Sequence, residues 1–289
     1  MNSSRVLKFR RVVWQYWKAH GRHELPWRRT KDPYRILVSE IMLQQTQVSR
    51  VIEKYREFLK RFPTVHALAK ASLADVLKVW SGLGYNRRAK YLHDAAKTIV
   101  AKHKGKVPKD ILTLGLLPGM GPYTASALRV FAFNEPDILI ETNIRTAFIH
   151  HFWPFHKSSD RPRYGTVADT DIFVVAQKAA EGQDSRKWHW ALMDYGAYLK
   201  RSGVRNNHRS VRYTKQSPFE GSLRQVRGAI LRELQRGSQT ENTMRRRLMV
   251  FEGEKVRKAL EGLARDGLIV NVRPRRIGLG PKKGKWRIA

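Results

Sequence analysis

The chain has 289 residues, enough for two or three compact units with a sizeable core. It carries 57 Lys+Arg against 24 Asp+Glu, a formal charge of +33 that repels itself in a compact state and calls for a polyanionic partner. No apolar run approaches the roughly 20 residues of a membrane-spanning helix, and the absence of cysteine excludes disulfides, zinc–thiolate sites and cysteine-ligated iron–sulfur clusters. Met1 leads directly into a basic amphipathic stretch, so no secretory leader is expected. The expectation is a cytoplasmic, nucleoid-associated protein with nucleic acid as partner and no membrane.

Val6, Phe9, Val13 and Trp17 recur at helical spacing across residues 5–19, with Arg and Lys between them. Residues 23–29 form a loop. Asp32 and Pro33 then supply the N-cap and first position of a helix reaching about Gln45. Helical patterns follow near 47–60, 73–80, 86–103, 109–116 and 122–132, divided by short Gly or Pro breaks. Residues 150–170 are irregular, helices resume at 171–181 and 186–200, and 201–219 is polar, basic and extended. Almost nothing alternates with period two before residue 268, so the bulk is mainly α. After Ser222 the style changes. Leu223, Val226, Ile230 and Leu234 mark one helix, Thr240 starts a second, and Val256, Leu260 and Leu263 mark a third. Gly267 stops it, and residues 268–272 and 285–289 read as two strands around a basic turn, a winged-helix pattern. This tail holds 18 Lys+Arg and 6 Asp+Glu, a net +12.

Two features carry chemistry. Leu117, Pro118, Gly119, Met120 and Gly121 form a tight turn between helices, with Pro122 suited to the first turn of the second. Bare amides and a positive helix N-terminus there make a seat for a phosphate, although turn chemistry alone explains the glycines equally well. Twenty residues on, Glu141 interrupts the apolar run Ile138, Leu139, Ile140, and Asn143 follows. Glu40 is the second carboxylate in apolar company, its helix-face neighbours being Ile36, Leu37, Leu43 and Gln44. Desolvation there raises a carboxyl pKa and readies an acid catalyst; a buried ion pair with Arg or Lys is the equal alternative. One acid and one ionised carboxylate suffice to cleave a glycosidic bond. His150, His151 and His156 are a weak metal candidate, because adjacent histidines cannot share one helix face. No metal is therefore expected. Trp14, Trp17, Trp80 and Trp188 sit in amphipathic patterns and belong to the core. Arg245, Arg246 and Arg247, with Lys282 and Lys283, are better explained as phosphate contacts than as solvated charge.

Five strings occur in order: Leu25-Pro26-Trp27-Arg28, Ser39-Glu40-Ile41-Met42-Leu43-Gln44-Gln45-Thr46-Gln47-Val48, Gly82-Leu83-Gly84-Tyr85, the hairpin 117–121, and Met193-Asp194-Tyr195-Gly196-Ala197. Together they resemble the MutY-type adenine DNA glycosylases of the helix–hairpin–helix (HhH-GPD) superfamily over about residues 20–200. The resemblance implies a two-module helical fold that flips a base into a cleft. Residues 1–30 with 136–219 would form the module carrying the second carboxylate, 31–135 the helix–hairpin–helix module, and 222–289 a winged-helix-like basic domain. It implies Glu40 as the acid, Glu141 in place of an aspartate that stabilises the oxocarbenium ion, and Asn143 beside them. Leu25, Trp27, Arg28, Leu43 and Trp190 would line the base pocket, Trp190 standing where the family has Gln or Glu. Gln45 and Tyr85 would wedge into the duplex, and residues 117–121 would hold a phosphate, a candidate seat for a monovalent cation as well. Tyr123 lies where the endonuclease III branch has its Schiff-base lysine, which implies a monofunctional enzyme without lyase activity. The iron–sulfur cysteines are absent, with Arg, Asn and His across 200–212 instead, and the usual lesion-reading C-terminal domain is not recognisable. Adenine opposite 8-oxoguanine or guanine in duplex DNA is the expected substrate. A uracil or thymine mismatch glycosylase of the same fold, and a non-catalytic winged-helix DNA-binding protein, are the rivals; the paired glutamates argue against the second.

Overall fold

The computed structural model describes residues 3–154, 166–214, 218–272 and 284–289. His156, Lys282 and Lys283 fall outside the described residues. Contact density divides the chain into two compact units. The first comprises residues 1–40, 109–116 and 120–215; the second comprises 41–108, 117–119 and 216–289. The three-part division read from the sequence is a different cut of the same chain.

The first unit is built on α1 (Ser3–His20), α9 (Thr142–Phe152), α10 (Asp169–Ala180) and α11 (Ser185–Arg201). Val6, Phe9 and Val13 of α1 are buried, as their helical spacing requires. Phe9 meets Phe148 of α9 at 5.0 Å between ring centres and Trp188 of α11 edge-on at 6.1 Å, so three helices share one aromatic core. Helix α2 (Pro33–Leu43) begins with Asp32, whose side chain accepts from the amides of Tyr34 and Arg35. Two short helices, α7 (Ile111–Gly115) and α8 (Pro122–Leu128), flank the glycine turn.

The sequence pattern misses α9, and the reason is local. Its N-cap is Glu141, not one of the short residues that usually announce a helix start, and Thr142, Ile144 and Thr146 lower its helix propensity. The helix expected over 122–132 is regular only to Leu128. It ends in a wider π turn over Arg129–Phe133, closed by Asn134 in the left-handed region at φ 58°.

In the second unit, α3 (Val48–Arg61), α4 (Val65–Lys70), α5 (Leu73–Trp80) and α6 (Arg87–His103) enclose Phe58, Leu68, Trp80 and Ile99. The tail belongs to this unit. Helices α12 (Leu223–Gln235), α13 (Glu241–Arg247) and α14 (Gly253–Arg265) bury Val226, Ile230, Leu260 and Leu263. Strands β2 (Ile269–Val272) and β3 (Lys285–Ile288) pair antiparallel in the register Ile269 to Ile288. A two-residue strand, β1 (Gln239–Thr240), adds to the other edge of β3 and gives the order β1-β3-β2. No periodicity could announce so short a strand. Among the described residues no helix is long and apolar enough to cross a membrane.

Candidate active site

Glu40 lies on α2 between buried Ser39 and Ile41, and is itself half-buried. Burial lifts its carboxyl from 4.5 to about 8; the charge of Glu141 adds to the rise and Arg28 opposes it. Among the described residues no hydrogen-bond donor reaches that carboxyl. At neutral pH it carries a proton.

Glu141 is in a different setting. It caps α9, and its Oε1 accepts from the amides of Asn143 and Ile144, both at 2.9 Å. Oε2 accepts from Asn143 Nδ2 at 3.2 Å, and Lys200 Nζ donates to Asn143 Oδ1 at 3.4 Å. Burial still raises this carboxyl, but the two amides, Lys200 and Arg145 all pull the other way. The two carboxyls thus differ in kind: Glu40 is neutral by desolvation, whereas Glu141 has donors arranged for an anion.

Tyr123, in the first turn of α8, is 37% exposed. Burial, then the charges of Glu40 and Glu141, hold its hydroxyl protonated well above its ordinary value. Glu40, Glu141, Tyr123, Asn143 and Lys200 therefore form one electrostatic cluster. The sequence offers no signal for Lys200, which reaches the site only because α11 lies along α9.

That approach depends on Gly196. A β-carbon there would lie 1.9 Å from the carbonyl oxygen of Asn143, so no other residue fits without moving α9. Asp194, two residues earlier, is buried and receives the fork of Arg28 at 2.7 and 2.9 Å together with Arg22 at 2.6 Å. Burial favours its neutral form, but the two arginines outweigh this and keep its carboxyl below the ordinary range. Arg28 is thus committed to Asp194, and its guanidinium also sits 5.4 Å from the Trp190 ring. Trp190 in turn stacks on Phe131, 5.9 Å away with planes 9° apart. Leu25 and Trp27 are buried, and Leu43 is half-buried in the last turn of α2.

Across 200–212, where no cysteine is present, polar side chains tie the backbone to α9. Asn206 Nδ2 donates to Thr146 O, Thr146 Oγ1 donates to Asn207 Oδ1, and Arg209 donates to Trp153 O. Among the described residues no group of three His, Asp or Glu could hold a metal ion.

In the second unit, Gln45 and Tyr85 both have left-handed backbones, at φ 54° and 45°. Buried Arg88 holds their two turns. Its guanidinium donates to the carbonyls of Ile41, Met42 and Gln44, to Thr46 Oγ1, and to the carbonyls of Leu83 and Gly84. Arg88 was legible in principle: it shares a helical face with buried Leu92, Ala95 and Ile99. Arg88→Met should cost about 3 kcal/mol, since it leaves several carbonyls without a donor. Chemical denaturation would measure the loss, and a cost below about 1 kcal/mol would show that water replaces the guanidinium. In the hairpin, Gly119 is left-handed at φ 76° with Tyr91 against it, and Gly121 caps α8 without a side-chain bond. Leu117 and Met120 are buried and Pro118 is half-buried. In the tail, Arg245 pairs with Glu241 at 2.8 Å and Arg246 is exposed.

Residues 38–184 match the family described as HhH-GPD superfamily base excision DNA repair protein. The chain is 34% identical over 281 residues to an adenine DNA glycosylase of Mycolicibacterium smegmatis, covering 91% of this chain and 93% of that protein. It shares a fold with a thermostable thymine-DNA glycosylase (TM-score 0.57, 24% identity, 67% of this chain and 87% of that one). It also shares one with endonuclease III trapped in a covalent intermediate with DNA (TM-score 0.53, 17% identity, 76% and 91%). The matched region contains Glu40, the hairpin and Glu141, and the chain belongs to the HhH-GPD superfamily of base excision DNA repair proteins.

Proposed function

We propose that this repair protein is a DNA N-glycosylase that hydrolyses the bond between adenine and deoxyribose where adenine is mispaired with 8-oxoguanine or guanine. The observation that carries this reading is a buried carboxyl lifted to about 8, which keeps its proton at neutral pH, with a second carboxyl furnished with donors for its anion. Adenine as the base rests on the motif strings and on the name of the mycobacterial relative.

Glu40 donates its proton to a ring nitrogen of the extruded base, and the glycosidic electron pair leaves with that base. The sugar becomes an oxocarbenium ion facing the Glu141 carboxylate. A water adds to the cation, and its proton returns to a carboxylate, leaving an abasic site and free adenine. Tyr123 supplies no amine at the lyase position, so the strand stays intact. The hairpin and the winged-helix-like tail hold duplex phosphates.

Duplexes carrying A:8-oxoG, A:G, U:G and T:G pairs, assayed with and without alkali, test this. Base loss should be confined to the two adenine substrates, with breaks only after alkali. Preference for U:G or T:G would overturn the adenine reading. A borohydride-trapped covalent adduct would overturn the lyase-free mechanism and direct attention to Lys200.

A further inference from the structure

Within the second unit, the tail meets the turn before α6 at Tyr85. Arg224 of α12 donates a hydrogen bond to the Tyr85 hydroxyl, and its guanidinium lies 5.3 Å from the centre of the Tyr85 ring. Buried Arg88 lies over the same ring at 5.5 Å. The Arg224–Tyr85 contact parts two adjoining hollows of about 600 and 740 Å³, each bounded by Gln45, Tyr85, Asn86 and Arg224. Seven arginines line the pair, and the single carboxylate among the lining residues, Asp266, is already bound by Arg87 and Arg227. Such a surface attracts a polyanion, and a planar aromatic ring in its middle suits a base.

The two side chains are held differently. Tyr85 is fixed by its left-handed backbone and by Arg88, which also binds the Gln45 turn. Arg224 is half-buried on a helix whose other contacts do not depend on it, because Val226, Ile230 and Leu234 hold α12 in place. Tyr85 is half-buried, and a base stacked on its ring covers more of the face than a single guanidinium does. An arginine displaced by that base finds a phosphate in the same groove.

We propose that Arg224 is a DNA-contacting residue that occupies Tyr85 in the free protein and passes to a phosphate when a base stacks on Tyr85. The base is the one opposite the excised nucleotide, because extrusion of its partner leaves it unpaired with a face to cover. Helix α12 would then be part of the DNA site, beyond a purely electrostatic tail. The inference rests on the base-excision reading but not on which base is removed.

The test is therefore a binding titration without excision. A duplex with a stable abasic analogue carries 2-aminopurine opposite it, and affinity and fluorescence are followed across a salt series. Arg224→Ala should weaken binding about tenfold and lower the slope of log affinity against log salt by about one, with fluorescence quenching retained. Tyr85→Leu should lose the quenching and keep the slope. An unchanged slope in Arg224→Ala, or unchanged quenching in Tyr85→Leu, would overturn the proposal. Should Arg224→Ala melt below the assay temperature, Arg224→Gln keeps the side-chain stem, removes the charge and gives the same readouts. Failure of the wild type to excise adenine would overturn the specificity assigned above and leave this titration interpretable.

Discussion

Glu40→Gln should bind mispaired duplex as the wild type does and lose base excision by about a thousandfold or more, because an amide has no proton to donate. Stability separates this from a structural role. Glu40 is held near 8 in the folded protein against 4.5 ordinarily. Between those values the unfolded chain ionises while the folded chain stays protonated, so wild-type stability falls as pH rises through that window and levels off above 8. Glutamine carries no such dependence. The variant should therefore melt no lower than wild type at neutral pH and gain on it toward pH 8. The same carboxyl sets the activity profile: single-turnover excision by the wild type should decline as pH passes about 8, where the acid gives up its proton. A Glu40→Gln enzyme within tenfold of wild type, or one that melts well below it, would assign Glu40 to structure and sink the mechanism.

Gly196→Ala should be the most damaging substitution outside the carboxylates. Its β-carbon would meet the Asn143 carbonyl at 1.9 Å and the Asn143 carbonyl carbon at 2.5 Å, both main-chain atoms with little room to yield. Helices α9 and α11 must separate, which costs about 3 kcal/mol by analogy with overpacked cores. The same shift carries Glu141 and Asn143 away from Glu40. A displacement of about 1 Å is enough for a hundredfold loss of rate, so excision should fall even at temperatures where the variant is fully folded. Gly115→Ala, where an added β-carbon meets nothing within 4 Å, is the control and should melt as wild type does. Excision within threefold of wild type for folded Gly196→Ala would show that the two helices tolerate separation.

The sequence by itself determined the elements with strong periodicity and the residues with unusual company. The helical fold followed from the 3.6-residue spacing of residues such as Val6, Phe9 and Val13, which needs no tertiary information. Glu40 stood out because a carboxylate in the register of Ile36 and Leu37 has few inexpensive explanations. The superfamily was legible in strings such as residues 39–48, whose order along the chain no folding constraint imposes.

Tertiary structure decided everything that depends on distance through space. Helix α9 was hidden because its start is specified by Glu141 reaching two amides, a contact that propensity does not encode. Trp190 and Arg28, read as pocket lining, hold one another and Asp194 in place, which only the approach of α11 to residues 22–28 reveals. Lys200 is 57 residues from Asn143 in sequence and 3.4 Å from it in space. The tail looked like a separate basic attachment, because charge can be counted in a sequence but a partner for Arg224 cannot. Periodicity reports which face of an element is buried; it carries no information on what that face is buried against, and the chemistry of this site lies in that second question.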